Sequence, residues 1–385
     1  MRHRLLQETN NNEREKVTRM MMNEPELRAW LRLSRLELTP RAAGSLLDRF
    51  GGPEAVFEAS ESDLEKVEQL TEKGRSKVLG PVPAAIERDL QIIDTRKITL
   101  IPITSENYPA SLKQIYDPPV LLYIRGSIIE SDKLAIAIVG SRKASVYGKS
   151  IAEKIGKDLA GRGLTVVSGG ARGIDTAAHR GALEVTGRTI AFLGCGIDVV
   201  YPAENTKLFE AIAESGAVVS EFPLGSSPEP WRFPPRNRLI SGLSIGVLVC
   251  QCPLRSGALI TADYALQQGK DIYAVPGNVG DERNSGCHRL IKDGAKLVES
   301  AEDILEELGI EKKSADDQAQ LALPIGSMSD QERDIISLLS LDPMQVDEII
   351  EKSSLSAPMV SGTLTVLEMK NLVKRVPGNA YVRAL

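Results

Sequence analysis

The sequence is poor in aromatic side chains, histidine and cysteine, and each shortage excludes something. Aromatics make up 4% of its 385 residues, so the core has to be aliphatic. Four cysteines, Cys195, Cys250, Cys252 and Cys287, are too few to staple a chain of this length. That points to a reducing compartment, the cytoplasm. Cys250-x-Cys252 holds too few ligands for a zinc site. With only His3, His179 and His288 beside it, neither a metal nor a cofactor is expected. No apolar run reaches the ~18 residues of a membrane helix, so no membrane association is expected. The N-terminal MRHRLLQETNNNEREKVTRMMM is basic but lacks the apolar segment of a secretory signal. Residues 1–23 read as a polar tail.

What is present is ordinary for a globular chain of two or three domains, with 42% hydrophobic and 26% charged residues. A net charge of −5 weighs against a nucleic-acid partner. Its distribution weighs the other way: residues 96–299 carry 24 Lys and Arg against 20 Asp and Glu, so the middle is basic and the flanks acidic.

The pattern divides the chain into four pieces after the tail. Residues 24–92 read as short helices, with Leu46, Leu47 and Phe50 stopped by Gly51-Gly52-Pro53. This suits a small SAM-like or helix-hairpin-helix-like domain, in which Gly51-Gly52 is a plain turn or an approach to a DNA backbone. Residues 93–310 alternate apolar runs with helical stretches. Strands are expected at Leu134–Val139, Leu164–Ser168, Arg188–Leu193, Ala217–Ser220, Ile245–Cys250, Asp271–Val275 and Lys296–Val298. Near-continuous Val, Ile and Leu in such runs predict a buried parallel sheet, hence a doubly wound, Rossmann-like α/β domain. Residues 311–326 read as a linker. Residues 327–385 offer a capping box at Ser329-Asp330-Gln331-Glu332, three helices and a hairpin around Pro377-Gly378-Asn379, which describes a winged helix.

In doubly wound folds ligands bind at the carboxyl ends of the strands. The first such loop, Gly140-Ser141-Arg142-Lys143-Ala144-Ser145, offers amides, hydroxyls and cations to a phosphate. It matches neither a dinucleotide fingerprint nor a Walker A loop. The second, Ser168-Gly169-Gly170-Ala171-Arg172-Gly173, lets backbone come close to a ligand and adds Arg172. Asp175 and His179 follow at i, i+4, a spacing more usual for a surface pair than for a catalytic one. Cys195 has no histidine nearby in sequence and reads as a buried thiol. Glu221 to Arg238 is a long proline-rich loop with Trp231 and Phe233 among Arg232, Arg236 and Arg238. Rings that stack bases beside cations that hold phosphates suit a single strand; Trp231 could equally pin the loop to the core. Arg255-Ser256 before a helix repeats the phosphate chemistry. No loop joins a nucleophile, a base and an orienting group, which favours binding over catalysis.

The segments IAIVGSRKASVYG, SGGARGIDTAAHRGAL, FLGCGIDVVYPAEN, WRFPPRNRLISGLS, RSGALITADYALQQGKDIYAVPGN and GCHRLIKDGA, in this order, resemble the DprA/Smf family of DNA-processing proteins. The likeness spans about residues 100–300, and both flanking domains fit longer members. It implies a Rossmann-like domain that binds single-stranded DNA. It further implies a homodimer that loads RecA recombinase during natural transformation and displaces single-strand-binding protein, with no established enzymatic activity. By resemblance, Arg142 holds a phosphate. Ser168, Gly169 and Gly170 offer a hydroxyl and amides to another. Phe233 meets a base, and Arg236, Asn237, Arg238 and Lys207 line the groove. Where the family usually reads Val-Glu-Ala, this chain has Cys250-Gln251-Cys252, and His288 stands where many members carry asparagine. Two other classes stay open. One is a nucleotide enzyme of the phosphoribohydrolase type, against which stands the absence of its glutamate motif around Arg255–Thr261. The other is a winged-helix transcription regulator, whose recognition helix, expected at Ala357–Lys370, would carry Lys370 as its single cation.

Overall fold

The computed structural model describes residues 22–310, 329–340, 343–353, 355–370, 372–376 and 378–383. The expected linker, and all of the expected tail but Met22 and Asn23, lie outside these residues.

Six helices come first: α1 (Glu24–Arg35), α2 (Pro40–Phe50), α3 (Pro53–Glu58), α4 (Glu61–Leu64), α5 (Glu72–Leu79) and α6 (Ile86–Thr95). Asn23, Thr39, Ser60 and Thr71 start four of them by accepting an amide three residues on. Gly51, at φ 81°, ends α2 in the left-handed conformation that a side chain resists. The Gly51-Gly52 pair therefore makes a helix-to-helix turn. α6 continues beyond residue 92, where the helical piece was expected to stop.

The sheet domain contains β1 (Thr99–Pro102), α7 (Ala110–Lys113), β2 (Leu121–Gly126), β3 (Ala135–Val139), α8 (Val146–Gly161), β4 (Thr165–Ser168), α9 (Ile174–Glu184), β5 (Thr189–Phe192), α10 (Thr206–Ser215) and β6 (Ala217–Ser220). It continues with α11 (Phe233–Leu243), β7 (Gly246–Val249), α12 (Gly257–Gln267), β8 (Asp271–Ala274), α13 (Ser285–Lys292), β9 (Lys296–Leu297) and α14 (Ala301–Glu307). The strand order is β1-β2-β6-β5-β4-β3-β7-β8-β9. All seven expected strands are present. β3 to β9 pair in parallel, while β1 and β2 add an antiparallel edge that the pattern did not announce. From β3 the chain moves outward to β6, then returns to β7 on the other side. The switch of direction thus lies between β3 and β7, and their carboxyl ends define the crevice where this architecture takes ligands. β3 to β7 are buried along their whole length, with helices on both faces.

One expectation about the proline-rich loop needs correction. It is a loop only as far as Arg232. Phe233 opens α11, whose Pro234 and Pro235 sit in the first turn, where a missing amide costs nothing.

The last piece has α15 (Asp330–Leu338), β10 (Met344–Gln345), α16 (Val346–Lys352), α17 (Ala357–Met369), β11 (Val373–Val376) and β12 (Ala380–Arg383). Its sheet order is β10-β12-β11, all antiparallel. This is the expected winged helix. Ser329 and Glu332 cap α15 reciprocally. Pro377 of the expected hairpin tip lies outside the described residues. Among the described residues, no helix is long and apolar enough to cross a membrane.

Candidate nucleic-acid interface

The loop after β3 and the loop after β7 are tied together at the switch point. Ser141 N donates to Gln251 O at 2.7 Å, and Ser145 N donates to Gln251 Oε1 at 2.8 Å. Gln251 Nε2 in turn donates to Asn284 Oδ1 at 3.0 Å. Close packing holds the arrangement: a Cβ at Gly148 would lie 2.6 Å from Gln251 Oε1. The neutral side chain thus holds Ser145, while the Gln251 backbone and Ile174 N, which donates to Ser141 O at 3.3 Å, hold Ser141. Sequence reasoning flagged Gln251 as a departure and did not see this bridging role, which depends on three segments distant in the chain. Ser141 Oγ accepts from Lys143 N, and Ser145 caps α8 through Gly148 N. Arg142 and Lys143 are left exposed at the tip.

Arg142 reaches Phe233. Its guanidinium carbon lies 4.9 Å from the centroid of the Phe233 ring, within cation–π range. The half-buried ring rests on Gly194, where a Cβ would come within 2.7 Å of it, and lies 5.7 Å from the Tyr201 ring. α11 then extends the surface. Asn237 Nδ2 donates to Gly257 O at 3.2 Å, which brings α11 against the start of α12. There Ser256 caps the helix through Ala258 N, and Arg255 is exposed. On the other side, Asn205 Nδ2 donates to Gly170 O at 3.0 Å, which sets the exposed Lys207, in the first turn of α10, beside the second loop. Arg172 is exposed but paired with Glu204. Such an exposed pair is largely screened by water, so a phosphate can compete for it.

Several expected groove residues lie inside the protein. Ser168 is buried, and its Oγ donates to Ile138 O at 2.6 Å. Gly169 N donates to Asp175 Oδ2 at 3.1 Å, so this amide is engaged by a carboxylate of the protein itself. Gly170, at φ 63°, packs so tightly on Phe209 that a Cβ would come within 2.5 Å of its ring. Arg236 is 3% exposed, and its Nη1 holds Gly169 O and Phe192 O. Arg238 is buried against Glu221 and also holds the carbonyls of Asp117 and Pro235. These residues shape the floor of the surface. Arg142, beside Phe233, meets solvent, as do Lys143, Arg172, Lys207 and Arg255 on the neighbouring loops and helix starts.

Asp175 and His179 do not form a dyad. Asp175 bridges two backbone amides, those of Gly169 and Ala171. Burial pushes its carboxyl up to about 6, against the opposing pull of Arg236. His179 bonds Thr189 through Nδ1, and burial drives its imidazole down to about 3. Arg236 is pushed down to about 10 by the same burial. Cys195 donates to Val199 O, and burial raises its thiol to about 11, far from a nucleophile. His288 Nε2 is engaged by Gly277 O at 2.9 Å.

Comparison with known proteins places the fold. Residues 99–309 match the family described as DNA recombination-mediator protein A, and residues 311–379 match the DprA winged helix domain. The chain is 39% identical over 310 residues to protein Smf of Escherichia coli (strain K12), covering 78% of this chain and 81% of that one. Its fold is similar to the X-ray structure of DNA processing protein A from Streptococcus pneumoniae. The TM-score there is 0.64 at 36% identity, over 72% of this chain and 95% of that chain. It is also similar to DNA processing protein A from Helicobacter pylori, whose structure concerns single-stranded DNA binding. That match has a TM-score of 0.50 at 30% identity, over 55% of this chain and 95% of that chain.

Proposed function

From the premise that this chain belongs to the DNA recombination-mediator protein A family, we propose that it binds single-stranded DNA at Arg142 and Phe233 and passes the strand to a RecA-type recombinase. In this reading it works in the cytoplasm as a homodimer, displaces single-strand-binding protein from incoming strands during natural transformation, and acts by binding rather than by catalysis. The observation that carries the reading is the Arg142–Phe233 pair. A cation that can grip a phosphate lies 4.9 Å from a ring that can stack a base, at the switch point of the sheet. Arg255, Ser256, Asn237, Lys207 and Arg172 extend the same face. The floor of Ser168, Gly169, Gly170, Arg236 and Arg238 holds it rigid, so the strand meets a preformed surface.

The test is fluorescence anisotropy of a labelled oligothymidylate, with duplex DNA as competitor. Loss of one stacked base costs ~1–3 kcal/mol, so Phe233→Ala should weaken binding by roughly fivefold to a hundredfold. Arg142→Ala should also lower the salt slope by about 0.7, the share of one phosphate on a single strand. A wild-type protein that ignores the strand, or prefers the duplex, overturns the reading. The handover has its own measurement. On a strand coated with single-strand-binding protein, adding this protein should speed strand-dependent ATP hydrolysis by RecA. Unchanged hydrolysis would leave strand binding and remove RecA loading.

A further inference from the structure

Trp231 was equally compatible with pinning the loop and with meeting a base, and the structure removes the first option. Its side chain is 60% exposed. One face is braced: the Arg232 guanidinium lies 4.8 Å from the Trp231 ring and 5.0 Å from that of Phe222. Arg232 is itself buried, and its Nη2 is anchored on Glu37 at 2.9 Å. A second exposed ring repeats the device. Tyr116 is 76% exposed, with the Arg41 guanidinium 3.5 Å from its centroid and Arg41 anchored on Asp117 at 2.9 Å. Both rings line one cavity of about 570 Å³ between the N-terminal helices and the sheet domain. Leu33, Leu38, Ile115 and Phe222 supply apolar wall. The three carboxylates on its lining, Glu37, Asp117 and Glu221, are each held by an arginine: Arg232, Arg41 and Arg238. A cavity so neutralised has no unpaired cation for a phosphate. It has room and aromatic surface for a flat, uncharged ring.

Position says where such a ring would come from. Trp231 lies two residues before Phe233, so at most ~7 Å of chain separates them. Pro235, one turn into α11, lines the cavity from the same helix that carries Phe233. Trp231 and Pro235 line the cavity and Phe233 lies between them in the chain, so the cavity borders the Pro230–Phe233 ridge that carries the ring beside Arg142. We propose that the cavity between Trp231 and Tyr116 is a second base-binding subsite, which takes a nucleobase of the strand anchored at Arg142 and Phe233. The phosphates stay on the Arg142 side, and the base crosses the ridge to stack on Trp231. This inference rests on the strand reading given above and extends it.

The chain offers its own probe. Of its two tryptophans, Trp30 is 1% exposed in the helical core and Trp231 is open to solvent. The full-length protein is titrated with oligothymidylates of increasing length, and tryptophan emission is followed alongside anisotropy of the labelled strand. Beyond a threshold length, emission should be quenched as the strand binds, and Trp231→Phe should abolish the quench. Trp231→Ala should weaken long strands roughly tenfold and leave the shortest bound strand unchanged. Tyr116→Ala should weaken the same long strands. Both side chains are exposed, so neither variant threatens the fold. Binding that depends on Phe233 but leaves emission unchanged at every length overturns the subsite and leaves the strand reading standing. So does equal affinity of wild type and Trp231→Ala for long strands, the result expected if this cavity serves a protein partner. Absence of any strand binding removes the anchor itself.

Discussion

His179 and Asp175 are one helical turn apart in the interior, and they pull stability in opposite directions with pH. Thr189 Oγ1 donates to Val166 O, so its oxygen accepts from His179 Nδ1–H, and Nε2 is left without a partner. A second proton has nowhere favourable to go. The imidazole falls from 6.5 to about 3, which corresponds to roughly 5 kcal/mol of preference for the neutral form. This stability is present above pH 6.5 and is lost as pH falls toward 3, because the unfolded chain takes up the proton first. Asp175 is raised from 3.8 to about 6, roughly 3 kcal/mol in the opposite sense. Its ionised form is penalised in the fold, so its share of stability falls as pH rises from about 4 to 6. Across that window the two slopes cancel; below it histidine dominates. The prediction concerns His179→Gln. Relative to wild type, its unfolding free energy should improve by roughly 3 kcal/mol between pH 6 and pH 4, read from urea midpoints at each pH. A difference that stays constant with pH would mean that His179 titrates normally in the fold.

At the scale of elements, the glycine-bounded Val and Ile runs made β3 to β7 legible, because a strand buried on both faces has to read as continuous apolar sequence. The antiparallel edge was not legible. β1 is four residues ending in Pro102, and although β2 is an apolar run ended by Gly126, the antiparallel pairing of both strands is decided with distant partners rather than by local pattern. The site divides in the same way. Arg142 and Phe233 could be named from residue type and position after a strand. The roles of Arg232, Arg236 and Arg238 could not: Glu37 and the carbonyls of Gly169 and Phe192 are remote in sequence, and Glu221, at the far end of the same loop, meets Arg238 only once the loop is folded. Gly194 shows the coupling between elements. It ends the strand segment after β5 and faces the ring that opens α11. A methyl group there would come within 2.7 Å of Phe233. Gly194→Ala should therefore displace the ring, at about 1–3 kcal/mol for overpacking. A lower melting temperature should accompany a loss of strand affinity comparable to that of Phe233→Ala. A destabilised variant with full affinity would show that the ring's seat on Gly194 is unimportant for the strand.

At the scale of the whole molecule, the winged helix invites a reading as the DNA-binding module, and its charges argue otherwise. α17 buries Val360, Leu364 and Leu367 in a core made of winged-helix residues alone. Its exposed side shows Met359, Val366 and Met369, and Lys370, just past its end, is paired with Glu332 at 2.6 Å. A helix that reads a duplex needs cations for phosphates, because those contacts dominate affinity. Among the described residues, an apolar contact joins this piece to the sheet domain: Val146, the first residue of α8, packs on Val376, Ala380 and Val382. The N-terminal helices and the sheet domain are packed in cores that contain no winged-helix residue, one of them shared between the two, so a chain without residues 329–385 should fold. It exposes one valine at the base of the Arg142 loop and removes no group assigned to the strand. Its affinity for oligothymidylate should therefore stay within about twofold of the full chain, with the same salt slope, because every residue proposed to meet a phosphate is retained. Anisotropy titrations at several salt concentrations decide the matter. A shallower slope would place phosphate contacts on the winged helix. An unchanged slope with a large loss of affinity would instead show that Val146 needs its cover to hold the loop in place.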